Sequence, residues 1–127
     1  MAHNSFTIDT NILIYHLNGE MKIQRQLQEW FSDGNLLFIS AITRIELLAA
    51  QWIDETEEQK IQNLLNHFIL LPVDGTIADL AEKVQRKYRP ELGDGIIAAT
   101  AIFTNSTLVT RNIRDFKKIA ELSIKSL

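Results

Sequence analysis

The chain has 127 residues, 46% hydrophobic and 23% charged, which predicts one domain over residues 1–127 with a sizeable core. It contains no cysteine, so disulfides and thiolate metal sites are excluded; with no apolar run of about 20 residues and no leader pattern, we expect a cytoplasmic protein without a membrane segment. The formal net charge of −3 argues against coating nucleic acid by charge alone, although it is compatible with reaching phosphates through metal ions.

The first predicted elements meet at a single carboxylate. Residues 6–8 predict a short buried strand that runs directly into a helix over residues 10–17, and Asp9 stands where the two join. Ligands of open parallel sheets bind beyond the carboxyl ends of the strands, so Asp9 is well placed for chemistry. Its oxygen is also suited to capping the helix, and for Asp9 taken alone the cap is the favoured interpretation.

A second acid follows the next strand. Beyond a helix over residues 22–31, the apolar run 36–39 predicts a buried strand, and a helix is predicted from residue 41 to about residue 53. At 100° per residue, Glu46 lies on the border of that helix's apolar stripe, where taken alone it indicates a salt bridge or an exposed side chain. The predicted stripe consists of Ile42, Ile45, Ala49, Trp52 and Ile53.

The second half of the chain continues this alternation. Its predicted elements are helices over residues 55–68 and 76–88, strands over residues 69–73, 107–110 and 123–127, and a short helix or turn over residues 117–122. Asp94 is expected to N-cap a buried helix that ends at Phe103, and Asp115 follows the strand that ends at Thr110. The alternation predicts an α/β fold with a central parallel sheet and helices on both faces.

Four acids stand out. Asp9 and Asp115 each follow a predicted strand, Glu46 lies on the helix after a second strand, and Asp94 heads the buried helix immediately before the strand that leads to Asp115. Because the exits of parallel strands face the same end of a sheet, we expect these side chains to lie together. Carboxylates without histidine or cysteine are hard oxygen ligands that suit Mg²⁺ or Mn²⁺, and clustered carboxylates repel one another unless a cation neutralises them. The three histidines of the chain show no metal-ligand spacing.

The order and spacing of these segments resemble PIN-domain ribonucleases, and most closely VapC-type toxins of toxin–antitoxin pairs. The resemblance covers nearly the whole chain, and as an ordered set its motifs are far more specific than any one of them. One departure is Gly95, where an alanine is more usual, and a glycine there loosens the helix start. The matching segments are Ile8-Asp9-Thr10-Asn11, Glu46 after Ile39-Ser40, Gly93-Asp94 before Ile97-Ala98-Ala99-Thr100-Ala101, and Thr110-Arg111-Asn112 with Asp115-Phe116.

The resemblance implies a three-layer α/β/α PIN-like domain, with a sheet of four to five strands, that acts as a metal-dependent endoribonuclease. One or two Mg²⁺ or Mn²⁺ ions would be held by Asp9, Glu46, Asp94 and Asp115. Thr110 and Asn112 would orient a water or an acid through hydrogen bonds. Two metal ions about 4 Å apart can activate a water and stabilise the leaving oxygen, which predicts 5′-phosphate and 3′-hydroxyl products.

The resemblance also implies partners: an RNA substrate, a cognate antitoxin protein and a second copy of the chain. An antitoxin segment would place an Arg or Lys among the four acids and lay a helix into apolar grooves beside the first helices. Exposed apolar residues on the middle helices, with Trp52 and Ile53 as candidates, would form a homodimer. Contacts to the RNA backbone are expected from Arg111, Arg114, Lys117 and Lys118, for which exposed solubilising charge is an equally good interpretation.

Other α/β proteins fit the sequence less well. A phosphoacceptor receiver domain needs an acidic pair at the first strand exit and a late lysine, whereas Asp9 stands alone and Thr110-Arg111 occupy the late exit. An aspartyl-nucleophile phosphatase needs a second Asp where the chain has Asn11. A housekeeping PIN-type nuclease in RNA processing, or a non-catalytic binding module whose acids are helix caps, stays open as an alternative.

Overall fold

The computed structural model describes residues 4–50 and 53–127, which form five strands and seven helices. The strands are β1 (Ser5–Ile8), β2 (Leu36–Ser40), β3 (Ile69–Leu71), β4 (Thr107–Val109) and β5 (Ser123–Lys125). The helices are α1 (Thr10–Leu17), α2 (Met21–Ser32), α3 (Ala41–Leu48), α4 (Glu55–Leu65), α5 (Gly75–Tyr88), α6 (Leu92–Thr104) and α7 (Ile113–Phe116). The strands form one sheet in the order β3-β2-β1-β4-β5, and every neighbouring pair is parallel. The predicted α/β fold is confirmed.

Strand β1 lies at the centre of the sheet and aligns the strand exits. Ile8 pairs with Val109, and the Asp9 N–H donates to the Val109 carbonyl at 3.0 Å. The Thr110 N–H donates in turn to the Lys125 carbonyl at 3.0 Å. The residues that follow β1 and β4 are therefore held side by side at one edge of the sheet, as the parallel topology requires.

Helices cover both faces of the sheet. Alternate strand residues such as Ile8, Ile39 and Val109 pack on one face against α1, α2 and α4. On the other face Leu108 packs against residues of α5, α6 and α7. Central strands that are buried on both faces read as continuous apolar runs, which is why β2 was predictable from the sequence. Within the described ranges, no helix has both the length and the apolar character needed to cross a membrane.

The predicted stripe of α3 is wrong. The helix ends at Leu48, and its buried residues are Thr43 and Leu47 rather than Ile45, which is 59% exposed. The prediction assumed one straight helix to about residue 53, whereas a two-turn helix is oriented by the few side chains it can bury. Ile53 packs against the core and is only partly exposed, and Trp52 lies outside the described residues.

Two acids sit elsewhere in their helices than predicted. Helix α6 begins at Leu92 with Glu91 in the N-cap position, so Asp94 lies inside the first turn and is not the N-cap. The short helix near the end is α7, which begins at Ile113 rather than at residue 117 and carries Asp115. Both errors place a helix start too late, because polar residues in a first turn were assigned to the preceding loop.

We predict that Phe116 is the main anchor of α7. Its side chain is fully buried in the cluster that contains Leu108 and Ile119, so Phe116→Ala should lower the free energy of unfolding by about 3–5 kcal/mol. Phe103→Ala is the matched control, because Phe103 is 51% exposed and its loss should cost less than about 1 kcal/mol. Urea unfolding of both variants checks this, and equal losses would contradict it.

Candidate active site

Asp9 lies at the exit of the central strand and is only 3% exposed. Its Oδ2 accepts a hydrogen bond from the Thr110 hydroxyl at 2.8 Å, across the gap between the β1 and β4 exits. Within the described chain its side chain makes no capping hydrogen bond to α1, although it occupies the N-cap position. The favoured interpretation of Asp9 as a cap is therefore wrong, and its carboxylate is held by the neighbouring strand exit instead.

Glu46 is held by two buried threonines. The Thr10 hydroxyl donates to Glu46 Oε1 at 2.7 Å, and the Thr43 hydroxyl lies 2.9 Å from the Thr10 hydroxyl. Because Thr10 gives its proton to the carboxylate, Thr43 donates to Thr10. Thr43 was not singled out from the sequence. Its position one turn before Glu46 on the same helix could have indicated that the two side chains lie close together. These two hydrogen bonds hold the Glu46 carboxylate at the start of α1, beside Asp9.

Asp94 reaches the same region from the other face of the sheet. Its neighbour Gly93 lies against Glu46, since a Cβ built on Gly93 would stand 3.6 Å from Glu46 Oε2. The pKa of Asp94 is raised from its ordinary 3.8 to about 6, first by burial and then by four negative charges. In decreasing order, those charges are Asp9, Glu91, Asp115 and Glu46. Glu91 is an acid that the sequence analysis did not single out.

A chain of hydrogen bonds joins Asp9 to Asp115. The Thr110 hydroxyl donates to Asp9 and accepts the Asn112 backbone N–H at 2.9 Å. The Asn112 carboxamide then donates to Asp115 Oδ2 at 2.9 Å. The structure thus brings Thr110 and Asn112 into direct contact with two of the four acids. Each contacts its acid as a donor, which is the orientation that stabilises an ionised carboxylate.

Arg111 stands between these two residues, but its guanidinium is already engaged. It makes a bidentate ion pair with Glu20, lies 4.5 Å over the centre of the Tyr15 ring, and donates through Nε to the main-chain oxygen of Leu127 at 2.6 Å. Its contact with the RNA backbone therefore stays a prediction. Its contacts fasten the Thr110–Asn112 segment to the turn between α1 and α2.

The acids form a negatively charged region, and the one ion pair found for them among the described residues is a long contact of 4.0 Å from Arg114 Nε to Asp115 Oδ1. The pKa of Asp9 is also raised, chiefly by burial and to a smaller extent by Glu46, against the lowering effect of the bond from Thr110. Across residues 4–50 and 53–127, no three acidic or histidine side chains stand close enough together to hold one ion as they are. The donor set is nevertheless entirely carboxylate oxygen under mutual repulsion, and this suits a hard divalent cation.

Comparison with known proteins gives the family. The model of the PIN domain matches residues 6–122. Ribonuclease VapC19 of Mycobacterium tuberculosis is 32% identical over 120 residues, which cover 91% of this chain and 94% of that protein. Ribonuclease VapC2 of Rickettsia felis is 31% identical in an alignment of 133 positions, which covers 95% of this chain and 96% of that protein.

Solved structures agree with this result. The toxin–antitoxin complex from Klebsiella pneumoniae contains a chain that is 31% identical, with a TM-score of 0.77 over 91% of this chain and 93% of that chain. The structure of VapBC2 from Rickettsia felis, bound to a DNA fragment from its promoter, shares the fold with a TM-score of 0.86 at 24% identity. The match covers 97% of this chain and 98% of that chain. The resemblance drawn from the sequence motifs is confirmed: the chain belongs to the PIN-domain family and, within it, to the VapC ribonucleases.

Proposed function

We propose that this ribonuclease is an Mg²⁺- or Mn²⁺-dependent endoribonuclease and the toxin of a toxin–antitoxin pair. The metal ligands would be Asp9, Glu46, Asp94 and Asp115. The observation that carries this proposal is the placement of the acids: Glu46 lies against Gly93 beside Asp94, and one chain of hydrogen bonds joins Asp9 to Asp115. The raised pKa of Asp94, to which burial and the nearby acids contribute, agrees with this placement. Acids that served only as helix caps would have no reason to lie close together. These four come from separate parts of the chain and nevertheless lie in one region.

The protein's own groups have definite tasks in this mechanism. When bound, one or two divalent ions would supply an activated water and neutralise the departing oxygen. Thr110 holds Asp9, Thr10 holds Glu46 and Asn112 holds Asp115, each by donating a hydrogen bond to the carboxylate. These bonds orient the carboxylates, so little reorganisation is needed when a cation and RNA arrive.

Exposed cations beside α7 would guide the RNA backbone to the acids. The Arg114 side chain is 92% exposed, and Lys117 and Lys118 are exposed on the residues that follow α7. Asp115 lies directly next to Arg114, so a phosphate bound by these cations would lie near the proposed site. Such contacts position the nucleic acid without reading its sequence.

Two grooves suit an antitoxin segment. One, of about 730 Å³, lies between α1, α2 and α4 and includes Leu27, Phe31 and Leu64. The other, of about 470 Å³, includes Ile14 and Leu47 and reaches Glu46. Lys60 lines both grooves, so they follow one another toward the acids. We propose that an amphipathic antitoxin helix lies along them and places an Arg or Lys among the carboxylates.

We also propose that the chain forms a homodimer. Large apolar side chains remain exposed, among them Leu92 at 66%, Ile45 at 59% and Phe103 at 51%. Burying such side chains against a second copy would remove apolar surface from water. Of the two candidates named from the sequence, Ile53 packs against the core and Trp52 lies outside the described residues.

Asp9→Asn is predicted to abolish RNA cleavage while the fold survives. We expect a loss of more than 100-fold, beyond the range of about 10- to 100-fold for residues that only support metal ligands. Sequencing of the RNA ends should show 5′-phosphate and 3′-hydroxyl groups for the wild type. Asp33→Asn, an exposed acid at the end of α2, is the control and should cleave normally. Wild-type cleavage by Asp9→Asn in Mg²⁺ would contradict the assignment of this acid.

The stability of the metal-free protein is predicted to fall as pH rises. Between pH 3.8 and about 6, the folded protein holds a proton on Asp94 that the unfolded chain has released, so unfolding is easier at pH 7 than at pH 5. Asp94→Asn should therefore raise the Tm at pH 7 without metal by a few degrees, on the scale of about 4 °C per kcal/mol. Mg²⁺ or Mn²⁺ should raise the Tm of the wild type by mass action, and that of the variant much less.

Calorimetric scans at both pH values, in chelator and in Mn²⁺, measure these effects. The same scans on Asp33→Asn separate a local effect at Asp94 from a general change in charge. A metal-free Asp94→Asn variant that is less stable than the wild type at pH 7 would show that the carboxylate is not under net repulsion.

Expression of the chain alone is predicted to arrest growth of the host cell. Asp9→Asn should relieve the arrest, and a small protein encoded beside the gene should bind and inhibit the wild type. Leu64→Glu places a charge in the larger groove and should weaken that binding while leaving RNA cleavage intact. Harmless expression of the folded, active enzyme would favour a housekeeping PIN-type nuclease instead.

A further inference from the structure

The connection between α5 and α6 has an unfavourable backbone conformation. Arg89, at the end of α5, has φ 54 and ψ 48, the left-handed region in which the Cβ of a non-glycine residue is crowded. Pro90 follows at once, and α6 begins at Leu92, two residues before Asp94. Neighbouring contacts must therefore hold this turn in place, and with it the first turn of α6.

Gln85 supplies these contacts from the last turn of α5. Its main-chain carbonyl accepts the Arg89 N–H at 3.0 Å, and its side-chain Nε2 donates to the Pro90 carbonyl at 3.0 Å. The other end of the same amide, Oε1, is buried and has no hydrogen-bond partner among the described residues. A buried acceptor without a partner is unfavourable, so the placement of this amide is explained by its bond to Pro90 and by its packing.

Gly95 is the residue against which the amide packs. A Cβ built on Gly95 would overlap Gln85 Oε1 and would lie 3.0 Å from Gln85 Cδ, whereas Pro90 Cγ, at 3.5 Å, leaves ordinary room. Gly95 is buried in the first turn of α6, and its N–H donates to the Glu91 carbonyl at 2.9 Å. Glycine weakens a helix at such a position, and here the Gln85 amide fills the space that an alanine methyl would take.

We propose that Gln85 is a positioning residue for Asp94. Gly95 has no side chain and so leaves the space that the Gln85 amide occupies. The amide fixes Pro90 on one side and covers Gly95 on the other, so the first turn of α6 is held and the Asp94 carboxylate is kept beside the other acids. Gln85 acts through Pro90 and Gly95 and does not touch the reacting groups. The inference rests on the proposed function, in which Asp94 is a metal ligand.

The test is a double-mutant cycle on Gln85 and Gly95 that is read as Mn²⁺ affinity. Gln85→Ala should weaken Mn²⁺ binding about 10-fold, the lower end of the range for residues that support a ligand from outside. Gly95→Ala should weaken it similarly, because the new methyl displaces the amide from Pro90. The double variant should bind within about 3-fold of Gln85→Ala alone, because once the amide is absent the new methyl has nothing to displace; this non-additivity is the sign of direct contact.

Two further variants make the result specific. Gln85→Met keeps the length of the side chain without its N–H donor and should also bind Mn²⁺ more weakly than the wild type. Gln59→Ala removes another helical glutamine amide, which donates to Asn63 at 2.9 Å on the exposed surface of α4, and should bind Mn²⁺ as the wild type does. Isothermal titration calorimetry well below the Tm of each variant separates ligand positioning from a general loss of stability.

Each outcome decides the proposal. Unchanged Mn²⁺ affinity in Gln85→Ala overturns it even if the Tm falls, because the residue would then serve only the stability of the turn. Additive losses in the double variant also overturn it, since the two residues would then act independently. If the wild type itself binds no Mn²⁺, the proposed function fails and the inference fails with it, which is distinct from a failure confined to Gln85.

Discussion

Repulsion among carboxylates at one edge of the sheet is the constraint on which the rest of this site depends. Asp9 follows the central strand β1, its parallel neighbours β2 and β4 lead to Glu46 and Asp115, and the first turn of α6 brings Asp94 to the same edge. Burial and like charge together raise the pKa of Asp94 to about 6. The fold thus holds in place a set of groups that would separate in water, and the divalent cation that we propose for this site would relieve their repulsion.

The surrounding polar groups are arranged to hold this charge. Hydroxyl groups of Thr10 and Thr110 donate directly to the acids, and the Asn112 carboxamide does the same. Arg111 pairs with Glu20, which lies outside the site, and not with one of the four acids. It therefore holds the Thr110–Asn112 segment in place without reducing the negative charge of the site. A positive group placed among the acids by another molecule would therefore compete with a metal ion, and this is the opportunity that an inhibitory partner would have.

The shared edge of the acids could be predicted because it follows from strand order and period alone. A carboxylate that follows a buried strand can be recognised in the sequence alone, and parallel pairing then brings Asp9 and Asp115 to one end of the sheet. The buried face of α3 could not be predicted, because it depends on where the helix ends and on the hydrogen bond between Thr43 and Thr10. Contacts between residues far apart in sequence leave no periodic signal.

Glu91 and Gln85 were not singled out because their roles depend on how the turn between α5 and α6 is built. Glu91 reads as an ordinary loop acid until the first turn of α6 places it near Asp94. Gly95 stood out in the sequence as a departure from the family pattern, and glycine there appeared only to loosen the helix. The glycine is explained by the preceding helix, because the Gln85 amide occupies the space that the methyl group of an alanine would take. A departure at one position was thus explained by a contact ten residues earlier.

Electrostatic repulsion in the metal-free site, and its relief by the proposed cation, can be measured by carbon-detected NMR of the side-chain carboxyl groups across a pH titration. Asp94 should titrate near pH 6 without metal, and saturating Mg²⁺ should shift its midpoint to clearly lower pH. An Asp94 midpoint near its ordinary 3.8 without metal, or one that Mg²⁺ leaves unchanged, would show that the carboxylates do not form a cation site under repulsion.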